Sequence, residues 1–123
     1  MRKIIIGAFI TLAILSFQAQ AEEPAIKTVA ETYEQKESLA GKRITLKGTI
    51  VKVNNGIMGK NFLHLRDGTG TEGTNDLTIT SQETAKVDDM VEVTGLVTVN
   101  KDFGFGYNYP LLLEEATISS TAK

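Results

Sequence analysis

His64 and Met58 are the two side chains of this chain that are best suited to hold a soft metal ion. Both lie in the segment Gly56–Gly70, GIMGKNFLHLRDGTG, which contains the only histidine and one of the three methionines. Imidazole nitrogen and thioether sulfur are donors that select Cu(I). Phe62 lies between them and is a weaker cation–π partner than tryptophan. The pattern makes Cu(I) binding one hypothesis, although a lone histidine is more often structural. Met90 would be a third donor, but it begins the fourth predicted strand and is expected to be a core residue.

A second glycine-aromatic segment follows at 102–109, with the sequence DFGFGYNY. Two such segments separated by alternating strands are typical of loops that frame a ligand-binding face. The alternative is that the aromatic rings only cover one end of the fold, and exposure would distinguish the two readings because exposed aromatic residues mark sites.

Asp67 is the residue that most resembles a catalytic group, since it begins the sequence Asp-Gly-Thr-Gly. The aspartic-protease reaction needs two such loops whose carboxylates share a proton, and this chain has one. Asp-Gly is also a common turn dipeptide, so Asp67 is predicted to cap its own turn. No serine or lysine has an identifiable base beside it, and no glycine loop is followed by a phosphate-binding lysine. No catalytic residues are assigned and no enzyme activity is expected.

Residues 1–21 have the layout of a secretory signal: a basic start, an apolar run over 4–17, and Ala19-Gln20-Ala21 as a cleavage site. An uncleaved membrane anchor is the alternative, but the apolar run is short for a bilayer. Export to the periplasm with cleavage after Ala21 is therefore predicted. Loss of Arg2 and Lys3 leaves 11 basic against 15 acidic residues, a net charge of about −4. Such a charge disfavours nucleic acid, and the lack of cysteine excludes disulfides.

The next segment, residues 22–40, is predicted to be a leader followed by one short helix. Thr28 and Glu31 have the spacing of a capping box, in which each side chain bonds the backbone N–H of the other residue. Val29, Tyr33 and Leu39 lie near one helical stripe, which predicts a helix that covers one end of the main domain.

Residues 41–119 alternate between apolar and polar side chains in five segments, which predicts five strands. The first and fourth strands are long and contain central glycines, Gly48 and Gly95. A glycine in a strand permits a bend or a close backbone approach, so valine at Gly48 should cost more than about 1 kcal/mol and alanine at Gly70, in a loop, should cost less. The predicted fold is all-β: a five-stranded Greek-key barrel of the OB-fold type with one short N-terminal helix. An SH3-like barrel is the alternative.

The segment Gly56–Gly70, together with DLTIT, KDFGFGY and the closing LEEA, resembles a group of small exported bacterial OB-fold proteins. The resemblance covers about 41–118 and differs at Phe62, where tryptophan is usual. It implies an OB-fold and export. The nucleic-acid- or nucleotide-binding label that such proteins often carry follows from fold, and fold does not determine function.

A ligand of an OB-fold usually binds the outer face of the second and third strands, between the loops that follow the first and fourth. Because side chains alternate along a strand, Leu63 and Leu65 should face the core and His64 should face outward. The predicted framing loops are 54–61 and 101–109. The predicted ligand-binding residues are Lys60, Phe62, His64, Arg66, Thr78, Lys101, Phe103, Phe105 and Tyr107.

The sequence thus predicts a periplasmic binding protein with no cofactor, whose partner is a small ligand or an envelope protein. The alternatives are a Cu(I)-handling protein that uses His64 and Met58, and a protein that binds single-stranded nucleic acid.

Overall fold

A computed structural model describes residues 23–121 as a mostly β protein in which two short helices precede the long strands. The predicted signal segment, 1–21, lies outside the described residues. Within the described part, no helix is long and apolar enough to cross a membrane. The elements are β1 (Ala25–Ile26), α1 (Val29–Glu34), α2 (Lys36–Leu39), β2 (Arg43–Ile57), β3 (Lys60–Arg66), β4 (Leu77–Ser81), β5 (Met90–Asp102) and β6 (Asn108–Ser120).

The strands form one sheet in the order β1-β2-β3-β4-β6-β5, with β2 also paired to β5. The first half of β2 pairs antiparallel with β5 and its second half with β3. β4 and β6 are parallel and share one registered pair, Ile79 with Leu113. The all-β prediction is confirmed. The sheet has six strands rather than the predicted five, because Ala25 and Ile26 add a short strand parallel to the start of β2.

Gly48 and Gly95 lie where β2 and β5 pass close to other strands. A Cβ built on Gly48 would be 2.6 Å from the carbonyl oxygen of Arg66, and one on Gly95 would be 2.7 Å from Cγ of Leu113. Both positions therefore exclude a side chain, as predicted for a strand glycine. The expectation for Gly70 was wrong: it has φ +86°, and its Cβ would lie 2.2 Å from a backbone oxygen, so alanine there is strained too.

The core consists of the inward side chains of β2 to β6, with contributions from the helices. Leu63 and Leu65 are fully buried, whereas the side chain of His64 between them is 25% exposed. This alternation confirms the predicted register of β3. The other core residues are Val29, Leu39, Ile44, Leu46, Ile50, Leu77, Ile79, Val91, Val93, Val97, Leu111, Leu113 and Ala116.

The helical segment begins as predicted, since Thr28 and Glu31 form the capping box. It comprises two short helices rather than one, with Gln35 between them. Asp67 caps its own turn by accepting from the backbone N–H of Thr69, and its other oxygen accepts from that of Val29 at 2.9 Å. The Asp-Gly turn therefore also fixes the start of α1, which the sequence did not indicate.

The first predicted framing loop, 54–61, is mostly strand, whereas the second, 101–109, is strand only at its two ends. The first is a tight hairpin whose two central residues, Met58 and Gly59, have φ of 53° and 77°. This pair of positive values is the signature of a two-residue hairpin turn. The second connects β5 to β6 through 103–107, where Phe105 has φ 56° between two positive-φ glycines. Hydrogen bonds from Phe103 N to Tyr107 O and from Tyr107 N to the Gly104 carbonyl hold this tip in shape.

Candidate ligand-binding cleft

A cleft of about 250 Å³ lies between the tips of the β2–β3 and β5–β6 hairpins. It combines four residues that the sequence singled out with three that it did not. The four are Met58, Phe62, His64 and Tyr107, and the three are Asn54, Ile57 and Tyr109. The two glycine-aromatic segments therefore do meet at one surface.

An aromatic cluster forms the floor of the cleft. The ring centroid of Phe62 lies 5.6 Å from that of Phe103 and 6.1 Å from that of Tyr109, and the latter two are 5.8 Å apart. Phe62 is 5% exposed, so the expectation that it is a partly exposed residue of the face is wrong. Its ring does point away from the core, but the rings from the second hairpin cover it. Two of the three ring pairs are edge-to-face, an arrangement that aromatic pairs favour.

His64 is held in the cleft wall by Asp76. Its Nδ1 lies 2.7 Å from Oδ1 of Asp76, and Arg66 Nε donates to the other carboxylate oxygen at 3.2 Å. Tyr33 donates its hydroxyl to the backbone carbonyl of Asp76 at 2.6 Å, which links this group to α1. A carboxylate only accepts hydrogen bonds, so a neutral His64 carries its proton on Nδ1. Its Nε2 then has a free lone pair.

Burial raises the pKa of the Tyr33 hydroxyl above its usual value, and the negative charge of Asp76 raises it further. The folded protein therefore holds this proton more tightly than the unfolded chain does. The resulting stability is complete below the unfolded pKa of about 10 and is lost as the pH rises through the higher folded pKa.

Replacing Tyr33 with phenylalanine should lower the free energy of unfolding at pH 7 by about 1 kcal/mol, because the bond to Asp76 is lost. The difference in free energy of unfolding between wild type and variant should become smaller above pH 10. The wild type loses stability there as Tyr33 deprotonates, and the variant has no hydroxyl at this position. Urea unfolding at pH 7 and pH 11 measures both. Tyr107→Phe is the control, since this half-exposed hydroxyl has no hydrogen-bond partner within residues 23–121. If the loss of unfolding free energy in Tyr33→Phe is the same at pH 7 and pH 11, the pKa of Tyr33 is not raised in the folded protein.

The cationic residues that were predicted for the face do not line the cleft. Arg66 is paired with Asp76, and Lys101 lies 3.4 Å from Glu114 and 5.3 Å from the centroid of the Phe103 ring. Lys60 and Lys101 instead line a separate polar depression beside β4. Thr78, which was predicted to face a ligand from the third strand, is 8% exposed and does not line the cleft. Thr80 on the same strand is 2% exposed and lines the depression that contains Lys60 and Lys101.

The hairpin tips carry an exposed apolar rim. Phe105 is 97% exposed, Tyr107 is 49%, Met58 is 44% and Ile57 is 38% exposed. Phe103 is only partly exposed and belongs to the floor. Isolated exposed apolar residues are normal, but a group of them beside a cleft marks an interaction surface. The rim enlarges the apolar surface around the cleft beyond what a small ligand would cover.

His64 and Met58 are the only soft donors that line the cleft. Met90 was expected to be a core residue and is instead 54% exposed, opposite Thr49 on β2. Thr49 is eight residues from Ile57, which is roughly 25 Å of extended strand, so Met90 cannot join Met58. Within residues 23–121 there is no group of three or more His, Asp or Glu side chains placed to hold a metal.

Asp76 is the main residue of the site that the sequence analysis missed. It lies in a loop rich in threonine, asparagine and glycine, and resembles an ordinary turn residue. The strand register could have identified it: His64 is opposite Thr78, so Asp76 is its diagonal neighbour, within reach of a long side chain.

No protein-family model matches this chain. No similar protein was found among curated sequences. Similar solved structures include an OBody bound to hen egg-white lysozyme, with a TM-score of 0.58, 14% identity and coverage of 85% of this chain and 99% of that chain.

Parts of two tRNA synthetases are also similar to this chain in structure. A putative aspartyl-tRNA synthetase from Leishmania major Friedlin gives a TM-score of 0.54, 12% identity and coverage of 90% of this chain and 24% of that chain. An asparaginyl-tRNA synthetase from Entamoeba histolytica gives a TM-score of 0.55, 16% identity and coverage of 81% and 24%. This chain spans about a quarter of each synthetase. At these identities the similarity establishes the fold alone, and that fold is OB-like.

Proposed function

We propose that this protein is a non-catalytic binding protein with a five-stranded OB barrel, β2 to β6, and that its ligand binds in the cleft between the two hairpin tips. The observation that supports this most directly is the lining of the cleft: aromatic and aliphatic side chains around one imidazole, His64, and one side-chain amide, Asn54. Ligand sites are typically concave and mostly apolar, with a few polar groups that orient the ligand. The cleft has this composition, and two hairpins form its walls.

Its site of action is proposed to be the periplasm, reached through the N-terminal signal. The sequence of residues 1–21 supports this, and N-terminal sequencing of the mature protein should begin at Glu22. The partner is proposed to be a small ligand or an envelope protein. The OBody with a similar fold binds a protein, lysozyme, which supports the idea that an OB-like fold can also present a protein-binding face here.

Ligands of this protein should perturb the cleft and leave the rest of the molecule unchanged. A library of small aromatic and aliphatic fragments, titrated into the ¹⁵N-labelled protein, should shift backbone amide signals of Met58, His64 and Tyr107. The double variant Tyr107→Ala, Met58→Ala removes two exposed walls and should weaken any such binding at least tenfold. Val87→Ala, an equally exposed apolar residue outside the cleft, is the control. Shifts confined to another surface would exclude the cleft.

Cu(I) handling is the second candidate, because the surroundings of His64 suit a metal ligand. Ligating histidines generally bond a carboxylate through the second ring nitrogen, which fixes the tautomer and makes the ligating nitrogen more basic. Asp76 takes this role on Nδ1, and Met58 lies in the same cleft as the free Nε2. If Cu(I) binds, nitrogen of His64 and sulfur of Met58 would hold it.

A Cu(I) titration under reducing conditions tests this candidate. His64→Ala should abolish stoichiometric binding while the fold is kept, since it removes the only imidazole. Met90→Ala, a methionine remote from the cleft, should bind like the wild type. Wild-type binding by the double variant His64→Ala, Met58→Ala would exclude the site.

Binding of single-stranded nucleic acid has the least support. Phosphate binding requires accessible cations, and Arg66 and Lys101 are already paired with carboxylates. The mature chain also carries a net charge of about −4. A salt-dependent affinity for single-stranded DNA would reverse this ranking.

A further inference from the structure

We infer that the cleft selects one chemical class of ligand: an aromatic ring that carries a hydrogen-bond donor, such as a phenol. This rests on the proposed function and adds the identity of the ligand group. Three properties of the cleft lead to it: the free lone pair of His64 beside aromatic walls, its small size, and the lack of charge in its lining.

The first property is the lone pair of His64. Nδ1 is hydrogen-bonded to one carboxylate oxygen of Asp76, and the other carboxylate oxygen accepts from Arg66. These two bonds fix the orientation of the imidazole. Nε2 has no protein partner within residues 23–121, and the ring lines the cleft. A neutral His64 therefore offers an acceptor and no donor to a ligand. The complementary group on the ligand is an O–H or N–H.

The second property is the size of the cleft. Pockets for drug-sized ligands are commonly about 300–1,000 Å³. This cleft, at about 250 Å³, is below that range. Its volume suffices for a single ring, since a cavity of about 150 Å³ can hold benzene. Its walls include the rings of Phe62, Tyr107 and Tyr109, which favour an aromatic partner through edge and offset contacts.

The third property is charge. The residues that line the cleft include no lysine, arginine, aspartate or glutamate. Transfer of a carboxylate or a phosphate into such a lining would lack a compensating partner and is unfavourable. The lining therefore favours a neutral ligand, and a phenol is neutral at pH 7.

A phenol can come from a tyrosine side chain of a polypeptide or from a free small molecule, and the chemistry recognised is the same. The exposed rim of Phe105 and Ile57 would add contacts only to a ligand that extends beyond the cleft. The rim should therefore increase the affinity for a tyrosine within a polypeptide and leave the affinity for a free phenol unchanged.

The test compares p-cresol with 4-methylanisole, which has the same ring but a methylated oxygen. In titrations of the ¹⁵N-labelled protein, p-cresol should bind about fivefold more tightly, which corresponds to one net hydrogen bond of about 1 kcal/mol. His64→Phe keeps an aromatic wall and removes the acceptor, so the two ligands should then bind equally. The peptide acetyl-Gly-Tyr-Gly-amide is the third ligand. Tighter binding than p-cresol, lost in Phe105→Ala, assigns the phenol to a polypeptide, and equal or weaker binding assigns it to a free molecule.

A second measurement needs no ligand and no variant. In the neutral form of wild-type His64, the ¹⁵N chemical shifts of the ring should show a protonated Nδ1 and an unprotonated Nε2. A protonated Nε2 would overturn the inference. So would equal binding of p-cresol and 4-methylanisole by the wild type. If neither binds while other fragments shift cleft signals, this inference is wrong and the proposed function stands. If no ligand of any kind perturbs the cleft, both are wrong.

Discussion

Replacing Gly48 with valine should lower the free energy of unfolding by more than about 2 kcal/mol. A Cβ at this position would be 2.6 Å from the carbonyl oxygen of Arg66 and 3.1 Å from side-chain atoms of Leu65. Arg66 is the last residue of β3 and pairs with Thr49 of β2, so its carbonyl cannot move without disturbing that pairing. Urea unfolding of the wild type and the variant, monitored by circular dichroism, measures the loss.

Lys47→Val is the matched control, because it places the same β-branched side chain on the adjacent exposed position of β2. It should change stability by no more than about 0.5 kcal/mol. If Gly48→Val unfolds at the same urea concentration as Lys47→Val, the close approach of β2 to β3 is not present in solution.

Asp67→Ala is expected to have the second large effect, a loss of about 2–3 kcal/mol. The carboxylate accepts hydrogen bonds from the backbone N–H of Val29 and from both the backbone and the hydroxyl of Thr69. The side chain of Val29 is fully buried in the core, so the first bond ties α1 to the turn after β3. Without the carboxylate these donors lose their partner, and unpaired buried donors are costly. Chemical unfolding measures the loss.

Asp102→Ala provides the comparison. Asp102 also caps a glycine turn, but its carboxylate accepts a single exposed hydrogen bond, from the backbone N–H of Gly104. Its removal should cost less than about 1 kcal/mol. Equal losses in the two variants would mean that Asp67 acts only within its own turn and does not anchor the helix.

The sequence predicted the long strands and their faces well, and its errors have identifiable causes. The alternation around His64 and the capping box at Thr28 were confirmed. β1 was missed because two residues are too few to show a periodic pattern. Phe62 was predicted to be exposed because strand parity shows to which face of the sheet a side chain points. Parity does not show that side chains from another hairpin, Phe103 and Tyr109, cover that face. Met90 was predicted to be a core residue, but it precedes the buried Val91 in β5, and strand alternation directs it outward.

The candidate site was predictable only in part, for a related reason. The sequence indicated that the two glycine-aromatic hairpins frame a face, and the structure brings their tips together. It also placed the cations Lys60, Arg66 and Lys101 on that face. Two of them are neutralised by Asp76 and Glu114, and those pairings depend on strand register. The sequence therefore predicted a cationic face, whereas the cleft in the structure is lined by no lysine or arginine.

What the sequence determined by itself is local: the period-2 alternation of the strands, the capping box, and the glycines that exclude a side chain. These depend on residues that are near neighbours in the chain, so the pattern of residue types is enough to predict them. Only the tertiary structure decided that Asp67 holds Val29, that Asp76 orients His64, and that rings from β6 and its hairpin cover Phe62. These contacts join residues 12 to 47 positions apart, and they form only when the strands pair in one register and the two hairpins pack together.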